Sequence, residues 1–160
     1  MAAVTSADVL PTGCRIFTSI PDIFFIPEFV FGGLVWTLVA STYVFPANPM
    51  GWVMFVSIFC FLGTTLWFFI FLCGGNTGSI WSSLDVAFHF VAAVFYLSSS
   101  VVLAVITISF GFTVSSGVPG LPTNYNQLYQ LDIAAVVMSF VATLLYFLHA
   151  IFSAIRWKRS

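Results

Sequence analysis

Four long apolar stretches organise the chain, at about 23–45, 50–73, 84–110 and 133–155. Each is about 22–27 residues long, enough at about 1.5 Å per residue to cross a hydrocarbon core of about 30 Å. None alternates with the period of two that a membrane strand needs. The pattern predicts an all-α membrane protein, a bundle of four transmembrane helices. It divides the chain into a mixed segment 1–18, a four-helix membrane domain 19–155 and a basic tail 156–160. Helix-start chemistry is expected at the edges. Ser19-Ile20-Pro21-Asp22 and Ser82-Ser83-Leu84-Asp85 have capping-box spacing, Asn48-Pro49 reads as an N-cap with proline at N1, and Asp132 is placed to cap the fourth helix. Trp52, Trp81 and Trp157 fall at span edges, where indoles favour the interface.

Composition narrows the class. Only four Lys/Arg and five Asp/Glu are present, 6% of the chain, while 61% is hydrophobic. An ordinary soluble domain carries about 25% charged residues. This balance excludes a soluble globular enzyme, a disordered chain and a nucleic-acid binder, which needs a basic patch. All four basic residues, Arg15, Arg156, Lys158 and Arg159, lie before the first span or after the fourth. Four spans bring both termini to one side, and the positive-inside tendency makes that side cytoplasmic. Loops 46–49 and 111–131 then face outward and 74–83 inward. The first 18 residues hold no apolar run of a signal peptide, and Ala2 offers no myristoylation start, so neither is expected. The three cysteines, Cys14, Cys60 and Cys73, form neither a disulfide framework nor a zinc spacing. Cys14 and Cys73 fall near the cytoplasmic surface and are candidates for lipidation, with a free thiol as the plainer reading.

Three ionisable residues lie inside spans: Glu28, His89 and His149. Counted from the side of the termini, all are roughly 8–12 Å deep, so they can meet in one layer. Asp85 is one turn from His89 on the same face. Two histidines and a carboxylate are the raw material of a proton relay or a metal site. The plainer reading is a polar packing layer, interhelical hydrogen bonds worth about 0.6–2 kcal/mol each. Nothing polar continues the layer across the bundle, so packing is preferred and neither a metal nor a cofactor is expected. Small residues recur every fourth position, Gly33, Thr37 and Ser41 on the first helix and Ala135, Ser139 and Thr143 on the fourth. Such stripes allow close helix approach within the bundle or between copies. Phe59, Phe61, Phe68, Phe69 and Phe71 read as lipid-facing bulk. The stretch from Cys73 to Gly78 lacks the lysine of a phosphate loop, and no nucleophile–base constellation is present, so catalysis is not expected.

Several ordered blocks resemble one family. Phe31-Gly32-Gly33-Leu34-Val35-Trp36 with Val39-Ala40-Ser41 is similar to the first span of the MAL proteolipids, which carry the MARVEL four-helix domain. Gly51-Trp52-Val53-Met54-Phe55-Val56-Ser57 resembles the start of their second span. Leu84-Asp85 with His89 and Phe95-Tyr96-Leu97-Ser98 resembles the third. Ala134-Ala135-Val136-Val137, Ala142-Thr143-Leu144-Leu145-Tyr146 and His149-Ala150 resemble the fourth. The ending Ile155-Arg156-Trp157-Lys158-Arg159-Ser160 is similar to the family's short basic tail. The chain departs from the family pattern at Leu103, where an acid is usual, and at Asp132, where Asn is usual; loop 111–131 also looks longer.

The resemblance implies a MARVEL-like fold and a role rather than a reaction. It implies a tetraspan proteolipid of ordered, glycosphingolipid- and cholesterol-rich membranes, active in vesicular (apical) trafficking or in myelin. It also implies lipids, other copies and raft-associated membrane proteins as partners, and a trafficking role for Arg156, Trp157, Lys158 and Arg159. The expected locations are the plasma membrane, apical or myelin, and Golgi or endosomal carriers. Two other functions compete with it. One is a small transporter or channel built on the Glu/His layer; the other is a junction or myelin adhesion protein acting through the outer loops.

Overall fold

The computed structural model describes residues 10–44, 46–121 and 123–159. Residues 1–9 of the N-terminal segment, Phe45 at the expected end of the first span and Ser160 of the tail lie outside the described residues. Two short 3₁₀ turns, Gly13–Phe17 and Asp22–Phe24, precede four helices: α1 (Phe25–Ser41), α2 (Ala47–Leu72), α3 (Ile80–Ser115) and α4 (Tyr125–Arg159). All four spans are long and apolar enough to cross a membrane, the first counted from Asp22 through its 3₁₀ turn. Each helix packs against its two neighbours in the ring α1–α2–α3–α4, and the α3–α4 seam is the most extensive.

The start of the described chain, the end of α4 and the α2–α3 turn share one end of the bundle, termed the end of the termini. Asn76 Nδ2 donates to the Pro11 carbonyl at 3.1 Å there, and Arg156 reaches Asp22. The turn begins with a Schellman closure. Gly74 takes a left-handed φ of 75°, its N–H donates to the Phe71 carbonyl, and the Gly75 N–H donates to the Ile70 carbonyl. Only a residue without Cβ adopts that conformation without strain, which is why glycine stops α2.

Hydrophobicity makes these helices but does not aim them, because lipid and core are both apolar. The inward faces are marked by small and polar residues among the apolar ones. On α1 the buried face is Phe25, Glu28, Gly32, Val35 and Val39. On α4 it runs through Asp132, Ala135, Ser139, Ala142, Tyr146, His149 and Ser153. Gly32 lets Tyr96 of α3 approach, since a Cβ there would lie 3.3 Å from the Tyr96 hydroxyl.

The structure corrects several sequence expectations. α4 begins at Tyr125 rather than near 133, and α3 runs to Ser115, so the linker shrinks to residues 116–124. The stripe Tyr125, Tyr129, Asp132, Ala135 keeps helical spacing through a segment too polar to read as a span, and Tyr125 packs on Phe110 at 5.2 Å. Asp132 therefore lies inside α4 and caps nothing. Neither capping box forms. The Ser19 hydroxyl donates to the Arg15 carbonyl, and Asp22 and Asp85 are buried in side-chain pairs. Asn48 does sit at a boundary, with φ −122° and ψ 119°, and regular helix resumes at Pro49. Phe71, read as lipid-facing, is buried with Leu10, Ile16 and Phe25.

Candidate functional site

The polar residues of the four helices converge at the end that holds the termini. Glu28 enters from the first turn of α1, Asp85 and His89 from the second and third turns of α3, and His149 and Ser153 from the last third of α4. All five are 0–1% exposed. A buried polar group is costly unless paired, so each partner matters. His149 Nδ1 donates to Glu28 Oε1 at 2.9 Å. His89 Nδ1 donates to the Asp85 backbone carbonyl at 2.8 Å and lies 3.2 Å from Asp85 Oδ1. Both partners of that nitrogen only accept, so Nδ1 carries a proton and Nε2 is the ring's other face. His89 Nε2 points at Glu28 Oε2 across 3.6 Å. The two imidazoles stack with centroids 3.5 Å apart.

Asp85 is the hub toward the termini. Its Oδ1 accepts from Trp67 Nε1 at 3.0 Å, and its Oδ2 accepts from the Ser153 hydroxyl and from Arg156 at 3.1 Å. The same guanidinium donates to Asp22 Oδ2 at 2.6 Å. Arg156 thus ties the 3₁₀ turn before α1, α3 and α4 together. Phe25 closes the layer from one side, 4.8 Å from His149 and 5.5 Å from His89, and Phe88 lies 5.0 Å from His89. On the far side, Tyr96 and Tyr146 stack at 5.3 Å, and the Tyr146 and Thr64 hydroxyls share a hydrogen bond of 2.6 Å.

Depth counting brings Glu28, His89, His149 and Asp85 to one level, and the structure places them in contact. The sequence pattern points to Asp22 only as a capping residue, to Arg156 only as part of the tail, and not at all to Trp67 or Ser153, yet all four join the network. A signal existed for two of them: Asp22 and Arg156 are opposite charges at the same end of the first and last spans. Arg156 is corrected from tail to core, with its side chain only 17% exposed. Trp157, Lys158 and Arg159 extend α4 and are exposed.

The two small-residue stripes part company. Ala135 and Ser139 are buried, and the Thr143 hydroxyl meets that of Ser100 at 3.2 Å. Gly33 is half-buried against Phe61, while Thr37 and Ser41 are exposed with their hydroxyls turned onto carbonyls of their own helix. The packing face of α1 is instead the Gly32 stripe, one residue over. Cys14 and Cys73 are both exposed at the end that holds the termini, and Cys60 is buried.

Comparison with known proteins agrees with this architecture. Residues 16–152 match the MARVEL family, described as a membrane-associating domain. Over 162 aligned residues the chain is 50% identical to the human myelin and lymphocyte protein, covering 99% of this chain and 98% of that one. The bovine myelin and lymphocyte protein is 47% identical over 163 residues, with the same coverage. The human CKLF-like MARVEL transmembrane domain-containing protein 8 is 31% identical over 96% of this chain and 83% of its own length. No solved structure matches the fold. The match across nearly the whole chain, together with four membrane-length helices, makes this a multi-pass membrane protein of the MARVEL family that belongs with the MAL proteolipids.

Proposed function

We propose that the protein organises ordered, glycosphingolipid- and cholesterol-rich membrane domains and supports vesicular trafficking, in apical transport or in myelin membranes. The observation that carries this is the outer face of α3. Leu84, Phe90, Val94, Leu97, Val101, Val105, Ile108 and Phe112 are all exposed along it. At about 1.5 Å per residue this apolar ridge is about 42 Å long. Sterol-rich plasma membranes have cores of about 32–33 Å and others are thinner, and mismatch sorts proteins at fractions of a kcal/mol per Å. A ridge of this length suits the thick membrane with tilt. Self-association adds such small preferences together.

Beyond the Glu/His layer, contrary to the expectation from the sequence, polar side chains do continue through the core, at Thr64, Ser99, Ser100, Thr107 and Ser139. Their hydroxyls are tied to backbone carbonyls or to neighbouring hydroxyls among Val35, Val56, Leu103 and Ala142, which supports an organiser over a conduit. In this reading the termini and the exposed Trp157, Lys158 and Arg159 are cytoplasmic, where the tail serves both as a positive anchor and in trafficking. Lipids, other copies and raft-associated membrane proteins are the partners, and no enzymatic step is involved. The protein resides at the plasma membrane and in Golgi or endosomal carriers. The test is partition of the purified protein in phase-separated giant vesicles. Enrichment in the ordered phase is expected; exclusion from it removes the physical basis of the proposal.

A further inference from the structure

We propose that Glu28, His89 and His149 form a buried site for a divalent transition-metal cation, with zinc as the chemistry that fits. One donor atom from each residue lies within 4.8 Å of the other two, and all three side chains are fully buried. Four features of the arrangement point to a metal.

The first is the contact between His89 Nε2 and Glu28 Oε2. Holding that nitrogen against a carboxylate oxygen needs something positive between them, a proton on Nε2 or a metal ion, and the spacing distinguishes the two. Their separation of 3.6 Å exceeds the 2.7–3.2 Å of an N–H···O hydrogen bond. Two donors on one tetrahedral zinc, with bonds of about 2.0–2.1 Å, stand about 3.3 Å apart. The second is that His89 Nε2, His149 Nε2 and Glu28 Oε2 are buried and have no hydrogen-bond partner among the described residues.

The third is the outer support. Metal-bound histidines characteristically donate the remaining ring N–H to a carboxylate or a backbone carbonyl, which fixes ring orientation. His89 already does so through Nδ1 to the Asp85 carbonyl. Asp85 is itself held by Trp67, Ser153 and Arg156. The fourth is charge. Asp22 and Asp85 share the Arg156 guanidinium while Glu28 meets only the two imidazoles, so with neutral imidazoles the three ionised carboxylates outnumber the one cation among them by two. One divalent cation balances them with both imidazoles neutral. Two imidazoles and a carboxylate are a zinc donor set that leaves a fourth position open. To close on the ion, one ring turns out of the stack so that both lone pairs meet it. Arg156 and Trp67, on the side of the termini, are the partly exposed members of the network.

The chain contains only two histidines, so any imidazole bound to metal reports this site. The experiment uses the full chain without a histidine tag, purified in detergent and stripped with a chelator. Zn²⁺ binding is read by competition with a chromophoric chelator, and X-ray absorption of the zinc form reads its donors. The expected result is one Zn²⁺ per chain, two imidazoles in its first shell, and a rise in melting temperature on loading. His89→Gln and His149→Gln each abolish stoichiometric binding, and Cys14→Ser with Cys73→Ser preserves it. A folded wild-type protein that binds no stoichiometric zinc overturns the proposal. So does a zinc shell made of thiolates, or binding retained when both histidines are replaced. The absorption measurement is made on wild-type protein, so misfolded variants leave the proposal open to refutation.

Discussion

The two ends of the bundle bury carboxylates on opposite terms. At the end holding the termini, Asp22, Glu28 and Asp85 share one guanidinium, two imidazoles, an indole N–H and a serine hydroxyl. At the other end Asp132 is equally closed to solvent though less densely surrounded, and neither of its carboxylate oxygens has a hydrogen-bond partner among the described residues. The same functional group therefore stabilises one end through its partners and taxes the other. Deletions at the two ends should differ in sign as well as in size.

Arg156→Met is the severest test. It strands Asp22 and Asp85 without a cation, and breaking a buried pair from one side costs about 3–5 kcal/mol. Reversible unfolding in mixed micelles should show a loss of that order; a loss below about 1 kcal/mol would mean that the two carboxylates do not depend on the guanidinium. Asp132→Leu should act in the opposite direction. Replacing an unpaired buried carboxylate by a residue of similar volume is expected to stabilise by about 1–3 kcal/mol in the same assay. A destabilised Asp132→Leu protein would show that Asp132 is engaged, and the contrast between the ends would fail.

Smaller changes sharpen the boundary between them. Tyr146→Phe removes the hydroxyl shared with Thr64 just beyond the imidazole layer, and a loss of about 0.6–1.7 kcal/mol is expected, the range for hydrogen bonds between membrane helices. Thr37→Val should leave unfolding unchanged, since that hydroxyl bonds only within α1 and faces outward. A clear shift in monomeric protein would restore Thr37 to the packing interface.

The sequence made the helices legible and their orientation much less so. The spans stand out because crossing a bilayer demands a long apolar run, and depth counting works because helix rise is constant. That is enough to level Glu28 with His89 and His149. It does not say which side of α1 faces inward, because Phe, Val and Leu suit lipid and core alike. Gly33 does pack against Phe61 of α2, whereas Thr37 and Ser41 face outward and the fully buried face of α1 runs through Gly32, Val35 and Val39. Capping patterns misled for a related reason. Asp22, Asp85 and Asp132 sit near the ends of apolar runs, but the helices continue past those runs, and a carboxylate inside a helix must find tertiary partners. Arg156 was hidden by a sound rule, because a cation after the last span is ordinarily an anchor. Here it turns back into the bundle.

The Arg156 clasp also has a consequence for synthesis. The chain emerges with Asp22 and Glu28 first, while His149, Ser153 and Arg156 come from the last dozen described residues of α4. Until those residues arrive, the early helices carry membrane-buried acids whose partners have not been made. A chain truncated before α4 keeps Glu28 and Asp85 without His149, Ser153 and Arg156. The last helix thus completes the pairing of the buried acids, and a chain without it leaves them unpartnered by α4.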